Sequence, residues 1–166
     1  MSQDGQKRDD FQTLLNVNDI EVIYNQSILA LKQISLSVGN GEIVALLGAN
    51  GAGKSTTLKS ISQLISAENG KILRGQIEYL GASVLGQNPS ELVEKGLVQV
   101  LEGRHCFAHL TVDENLRTGS FIHSPSRANL SELLDKIYHY FPRLAEKKKT
   151  LAGYTSGGEQ QMIAIG

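Results

Sequence analysis

Ile43-Val-Ala-Leu-Leu47-Gly48-Ala-Asn-Gly-Ala-Gly53-Lys54-Ser55-Thr56 joins an unbroken apolar run to a glycine-rich loop, then to a lysine and two hydroxyls. A run that short and uniform suits a strand buried on both faces, as in a parallel sheet. After the loop, Leu58, Ile61, Leu64 and Ile65 recur at helical spacing, which predicts a helix over Ser55–Ile65. The stretch therefore reads as strand, turn and helix. Glycines let the turn curl until several backbone N–H groups point at one centre, and a helix start near Gly53 adds its partial positive charge there. The local chemistry is that of an anion cradle.

Gly48 to Ser55 also matches the spacing G-x-x-x-x-G-K-[ST], the P-loop. In that arrangement Lys54 brings a full charge to the β- and γ-phosphates of a nucleotide, and the Ser55 hydroxyl is placed to ligate Mg²⁺. The competing reading is an ordinary glycine turn before a helix. Its four fixed positions arise by chance in roughly one chain of this length in two hundred, and the flanking strand and helix lower that further. Gly48, Ala49, Asn50, Gly51, Ala52, Gly53, Lys54, Ser55 and Thr56 are the candidate phosphate-binding residues, with Ser55 as the metal ligand.

Upstream, Leu14–Tyr24 reads as one or two strands, and Ile34–Val38 alternates apolar and polar as a half-buried strand does. Gly39-Asn40-Gly41 is turn chemistry. Downstream, short strands are expected at Lys71–Leu73, Gln76–Leu80 and Leu97–Leu101. A helix opens at Asn88-Pro89, with proline at the first helical position, and closes at Gly96. Thr111 to Glu114 and Ser156 to Glu159 have capping-box spacing and should each start a helix. Between them Leu130, Leu133, Leu134, Ile137, Tyr138 and Phe141 form one apolar stripe, and Pro142 helps end that helix.

The 166 residues are 40% hydrophobic and 20% charged with a net charge of −1, so the balance does not point to nucleic acid or an anionic membrane. Cys106 is the single cysteine and cannot form an intramolecular disulfide, which fits a reducing compartment. No apolar run approaches the ~18 residues of a membrane span. Residues 1–12 are polar and charged, and read as a flexible tail without a signal peptide. His105, Cys106 and His109 cluster without zinc-site spacing or a fourth ligand. His123 and His139 read as surface residues, and Tyr138, Tyr140 and Phe141 as packing residues. The Lys147-Lys148-Lys149 run reads as a solvated face, with contact to lipid headgroups as the lesser alternative.

A P-loop does not by itself separate kinases, GTPases and transport ATPases. Thr155-Ser156-Gly157-Gly158-Glu159-Gln160-Gln161-Met162 resembles the signature of ABC ATPases, L-S-G-G-[EQ]-[QR]-Q, with Thr155 in place of the common leucine. Ala30–Glu42 is similar to that family's strand leading into the P-loop, and Tyr24 matches its adenine-stacking aromatic. Val98–Leu116 resembles the Q-loop region, with Glu102 at the glutamine position; Gln99, three residues earlier, is not given that role. Glu102-Gly-Arg104, Phe141-Pro-Arg-Leu144 and Glu159–Gly166 resemble the ATPases of branched-chain amino acid importers and the related urea and amide importers. The likeness runs from about Phe11 onward.

The resemblance implies an α/β fold: a RecA-like P-loop NTPase core with an antiparallel β subdomain and a helical subdomain at about 115–153. Residues 13–166 would form a partial ABC ATP-binding domain that ends before Walker B. ATP and Mg²⁺ are the implied cofactors, with Tyr24 on the adenine. Thr155, Ser156, Gly157, Gly158 and Glu159 would act on ATP held by a second ATP-binding subunit, identical or not, in a head-to-tail dimer. Two transmembrane permease subunits and, indirectly, a periplasmic solute-binding protein are the other implied partners, with no nucleic acid. The protein would sit in the cytoplasm against the inner face of the plasma membrane and drive import of branched-chain amino acids, with urea and short amides open. Alternatives are a soluble non-transport ABC ATPase and a short nucleotide-binding product without turnover. Neither Asp113 nor Asp135 follows four apolar residues, so no Walker B strand, catalytic glutamate or switch histidine is found, and no catalytic residue is assigned. The 166-residue chain alone is expected not to hydrolyse ATP. Its sheet should be incomplete, with Ile43–Leu47 unpaired.

Overall fold

The computed structural model describes residues 13–103, 105–122 and 125–166. The expected tail at 1–12, Arg104 and His123 lie outside them. The chain divides into two compact units, residues 1–99 and 100–166.

The first unit is built on an antiparallel sheet in the order β2-β1-β3-β4, from β1 (Thr13–Tyr24), β2 (Ile28–Gly39), β3 (Gly70–Tyr79) and β4 (Ala82–Ser83). β1 and β2 form a hairpin whose turn residues Asn25 and Gln26 both have positive φ, at 49° and 63°. That geometry matches the right-handed strand twist. The two short strands expected around residues 71–80 are one strand, β3, kinked where β1 bulges. At the bulge Gly75 has φ 91°, and a Cβ there would meet the Asp19 carbonyl oxygen at 2.4 Å, so no other residue fits. Val17, Ile20, Val22 and Ile77 bury one face of the sheet with Ile61, Ile65 and Leu92. Ile61 lies on helix α1 (Lys54–Ile61), Ile65 on a 3-10 turn (Leu64–Glu68) and Leu92 on helix α2 (Pro89–Glu94). α1 stops short of the expected Ile65 because Gln63 turns to φ 59°. The Ser62 amide donates to the Leu58 carbonyl at 3.0 Å, closing the last turn.

Ile43–Leu47 is not a strand. The run is irregular, with Ile43 99% and Leu47 88% exposed. A central parallel strand takes its burial from neighbours on both sides, and among the described residues no strand pairs with it. Leu97–Leu101 is likewise irregular rather than the expected strand.

The second unit is helical: α3 (Val112–Thr118), α4 (Arg127–Tyr140), α5 (Pro142–Glu146) and α6 (Gly157–Ile165). Val112, Leu116, Leu134, Tyr138, Leu144, Ala152 and Ile163 form its core. Most of the stripe expected on α4 turns inward, but Leu133 stays 46% exposed, one step round from the buried Leu134 and Tyr138. The chain then returns along its own loop. Val112 N donates to the Thr150 carbonyl, Ala152 N to Leu110 and Gly153 N to Ala108. Gly153 permits that approach, since a Cβ would lie 3.0 Å from the Ala108 carbonyl oxygen.

Candidate nucleotide-binding site

The P-loop is shaped by two residues in the left-handed region, Gly51 at φ 85° and Gly53 at φ 87°. Gly53 is further constrained by packing: a Cβ would come within 2.3 Å of the Leu31 side chain on β2. The turn thus seats against the antiparallel sheet, and only glycine allows it. Ala52 N donates to the Ala49 carbonyl at 3.1 Å, closing the turn. Thr57 donates to the Gly53 carbonyl from both its amide, at 2.8 Å, and its hydroxyl, at 3.0 Å, fixing the start of α1.

The Lys54 ammonium donates to the Gly48 and Ala49 carbonyls, both at 2.8 Å. These bonds hold the acceptors of the loop's entrance on the cation. The first amides of α1 have no intrahelical acceptor. Backbone donors, a helix N-terminus and an ammonium beside one glycine turn form a set suited to a polyphosphate. Ser55 stands in the first turn of α1, where a hydroxyl can reach a cation shared with that phosphate.

Tyr24 ends β1, paired with Ile28 on one side and Gly70 on the other, and is half-buried. Its ring packs over Gly70, where a Cβ would fall 2.8 Å from the Tyr24 Cε1. Glu102 is exposed in an irregular turn, its carbonyl oxygen 2.8 Å from His105 Nε2. Gln99 instead accepts from the Ser62 hydroxyl at the end of α1.

In the helical unit both capping boxes are present. Thr111 and Glu114 exchange their bonds at α3, and Ser156 and Glu159 at α6. The Ser156 hydroxyl accepts from Glu159 N at 3.3 Å, while Ser156 N donates to the Glu159 carboxylate at 2.8 Å. Gly157 and Gly158, the first two helical residues, are exposed. Thr155 is buried, and its hydroxyl donates to the Ala152 carbonyl at 2.7 Å. Gln160 is also buried, and its amide donates to the Ala152 and Thr155 carbonyls.

The lysine run is not simply solvated. Lys147 Nζ reaches both oxygens of Glu159, at 2.8 and 3.0 Å, and Lys148 Nζ lies 3.9 Å from the centre of the Tyr138 ring. The Lys147 bond first, and then the Ser156 amide, hold the Glu159 carboxyl down to about 2. Burial and a bond to Asp113 push the Tyr138 hydroxyl up. Burial works to raise Asp113 as well, but bonds from Arg117 and Tyr138 outweigh it and leave its carboxyl low. Sequence reasoning missed Lys147, Gln160 and also Asn115. The buried Asn115 side chain accepts from Phe107 N and donates to the carbonyls of Phe107, Leu110 and Thr111. No local pattern marks a partner twelve residues away, as Lys147 is from Glu159.

A P-loop turn on an antiparallel sheet, with a separate helical unit carrying a glycine-rich helix start, defines the class: a P-loop NTPase-type α/β protein. The chain belongs to the ABC transporter family, whose profile matches residues 31–166. It is 40% identical over 153 residues to the high-affinity branched-chain amino acid transport ATP-binding protein BraG of Pseudomonas aeruginosa, covering 92% of this chain and 62% of that protein. A probable branched-chain amino acid transport ATP-binding protein, LivF of Archaeoglobus fulgidus, is 31% identical, over 81% of this chain and 54% of that one. Among solved structures, the ATP-binding subunit of an ABC transporter matches with a TM-score of 0.74 at 31% identity, over 92% of this chain and 60% of that chain. A nucleotide-free ATP-binding cassette from an ABC transporter matches at 0.71 and 26%, over 92% and 63%. The chain spans roughly three-fifths of the length of these relatives. Among the described residues no helix is long and apolar enough to cross a membrane.

Proposed function

We propose that this chain is the nucleotide-binding part of the ATP-binding subunit of an importer of branched-chain amino acids. The nucleotide reading is carried by the Lys54 ammonium clamped on the Gly48 and Ala49 carbonyls beneath a turn that only glycine at 53 permits. The solute class is supported by the likeness to BraG. In this reading Gly48, Ala49, Asn50, Gly51, Ala52 and Gly53 wrap the β- and γ-phosphates of ATP with backbone donors. Lys54 supplies the positive charge, and Thr56 follows on the first turn of α1. Ser55 would hold Mg²⁺, which supplies charge between the phosphates. Tyr24 stacks on the adenine, and Glu102 stands at the Q-loop position. Thr155, Ser156, Gly157, Gly158 and Glu159 complete the site of a second ATP-binding subunit in a head-to-tail dimer.

The full-length protein would hydrolyse ATP and work on the cytoplasmic face of the membrane with two permease subunits, fed by a periplasmic binding protein. Among the described residues no strand ends in Asp-Glu, the pair that would hold the metal and polarise water. This chain alone is therefore expected to bind nucleotide without turning it over. The test is Mg-ATP binding by the parent and by Lys54→Ala. A unit charge about 4 Å from phosphate contributes on the order of 4 kcal/mol at intermediate dielectric, before solvation losses. Affinity should fall at least about a hundredfold. Equal affinity in a folded alanine variant would remove the reading.

A further inference from the structure

We propose that Lys147 is a positioning residue for the phosphate contact at α6, cancelling the charge of the capping carboxylate so that the Gly157 and Gly158 amides can receive an anion. The inference rests on the reading that this helix start contacts the phosphates of a nucleotide. The conflict it resolves lies in the geometry. A capping box places the N3 side chain back over the helix start, and the Glu159 carboxylate accepts from Ser156 N at 2.8 Å. One negative group therefore already occupies the end of α6 where a second must arrive. Ser156 caps the amide of Glu159 with its hydroxyl. The Gly157 and Gly158 amides, the first two of the helix, have no intrahelical acceptor. They are the donors left for a ligand, but they sit beside a carboxylate.

Lys147 closes this conflict from outside the helix. It follows α5, is separated from Glu159 by the turn that carries Thr155, and contacts both carboxylate oxygens. Glu159 is only 5% exposed, so its carboxylate is held against the helix start rather than out in solvent. Among the described residues, Lys147 both bonds Glu159 and adds a favourable field at it. A glutamine in place of Glu159 would keep an acceptor for Ser156 N without the charge. The lysine is thus required only because the capping residue is an acid. The pair gives a rigid, doubly bonded cap whose net charge is zero, at an anion-binding helix end.

The experiment is an amide NMR titration of the full chain with Mg-ATP. The parent, Lys147→Met, Lys147→Arg, Glu159→Gln and the Lys147→Met/Glu159→Gln double variant are compared, following Gly157, Gly158 and the P-loop amides. Lys147→Met should weaken the Gly157 and Gly158 response on the order of tenfold, while the P-loop response stays at parent level. The double variant and Lys147→Arg should restore it, and Glu159→Gln alone, which leaves the lysine's charge uncompensated beside the helix start, should respond more tightly than the parent. A double variant as weak as Lys147→Met would show that the lysine only holds structure and would overturn the proposal. So would a parent-like Lys147→Met. If Lys147→Met does not fold, a Glu159→Gln response tighter than the parent's sustains the proposal, and one equal or weaker overturns it. Should the parent respond at the P-loop but never at Gly157 and Gly158, the reading of α6 falls first and takes the proposal with it.

Discussion

At Gly53 two demands meet: a φ of 87° and a backbone close enough to β2 that a Cβ would overlap Leu31. Gly53→Ala should therefore cost about 2–5 kcal/mol, from backbone strain and overpacking together. Urea unfolding would read the loss as a lowered midpoint, and an unchanged midpoint would mean that the loop is not seated on Leu31. Glu159 makes the second prediction at this scale. Its carboxyl is held from an ordinary 4.5 down to about 2, chiefly by Lys147. A depressed folded value stabilises the fold above the unfolded one, so the contribution is complete above pH 4.5 and fades as pH falls towards about 2. Thermal melts across that window should show the parent losing more stability than Glu159→Gln, which has no such proton to take up. Parallel curves would deny the ion pair a thermodynamic role.

Among the elements, the segment Phe107–Thr111 depends on one side chain. Asn115 satisfies the Phe107 amide and three carbonyls from a buried position on α3. Asn115→Ala leaves these groups without that partner and should cost about 2–4 kcal/mol. Hydrogen exchange should locate the loss at the Phe107 amide, and undiminished protection there would contradict it. This scale also shows what the sequence could reveal. The helix starts at Asn88, Thr111 and Ser156 were legible because capping is local chemistry, settled within three residues. The P-loop turn and β1 were legible for the same reason, through spacing and alternation, whereas β2 was read only over Ile34–Val38 and β3 as two short strands. Asn115, Gln160 and Lys147 were not, because their partners are backbone groups or charges brought near by the return of 148–153 along 108–113. Ile43–Leu47 failed differently. Its composition is that of a buried strand, but burial belongs to neighbours, and composition cannot supply them.

For the whole molecule, the antiparallel sheet and the helical unit each close around their own apolar cluster. The residues assigned to phosphate contact lie at two helix starts, α1 and α6, one in each unit. Ile43 and Leu47, just before the P-loop, stand exposed and unpaired with any strand among the described residues. The nucleotide reading rests on the turn itself, which Gly51, Gly53 and the Lys54 clamp already set. A crystal structure of the chain grown with Mg-ATP tests this most directly. The account predicts β- and γ-phosphate oxygens within hydrogen-bond distance of the amides between Gly51 and Ser55, with the Lys54 ammonium beside them. Phosphates bound elsewhere, or a loop splayed so that those amides no longer converge, would contradict it.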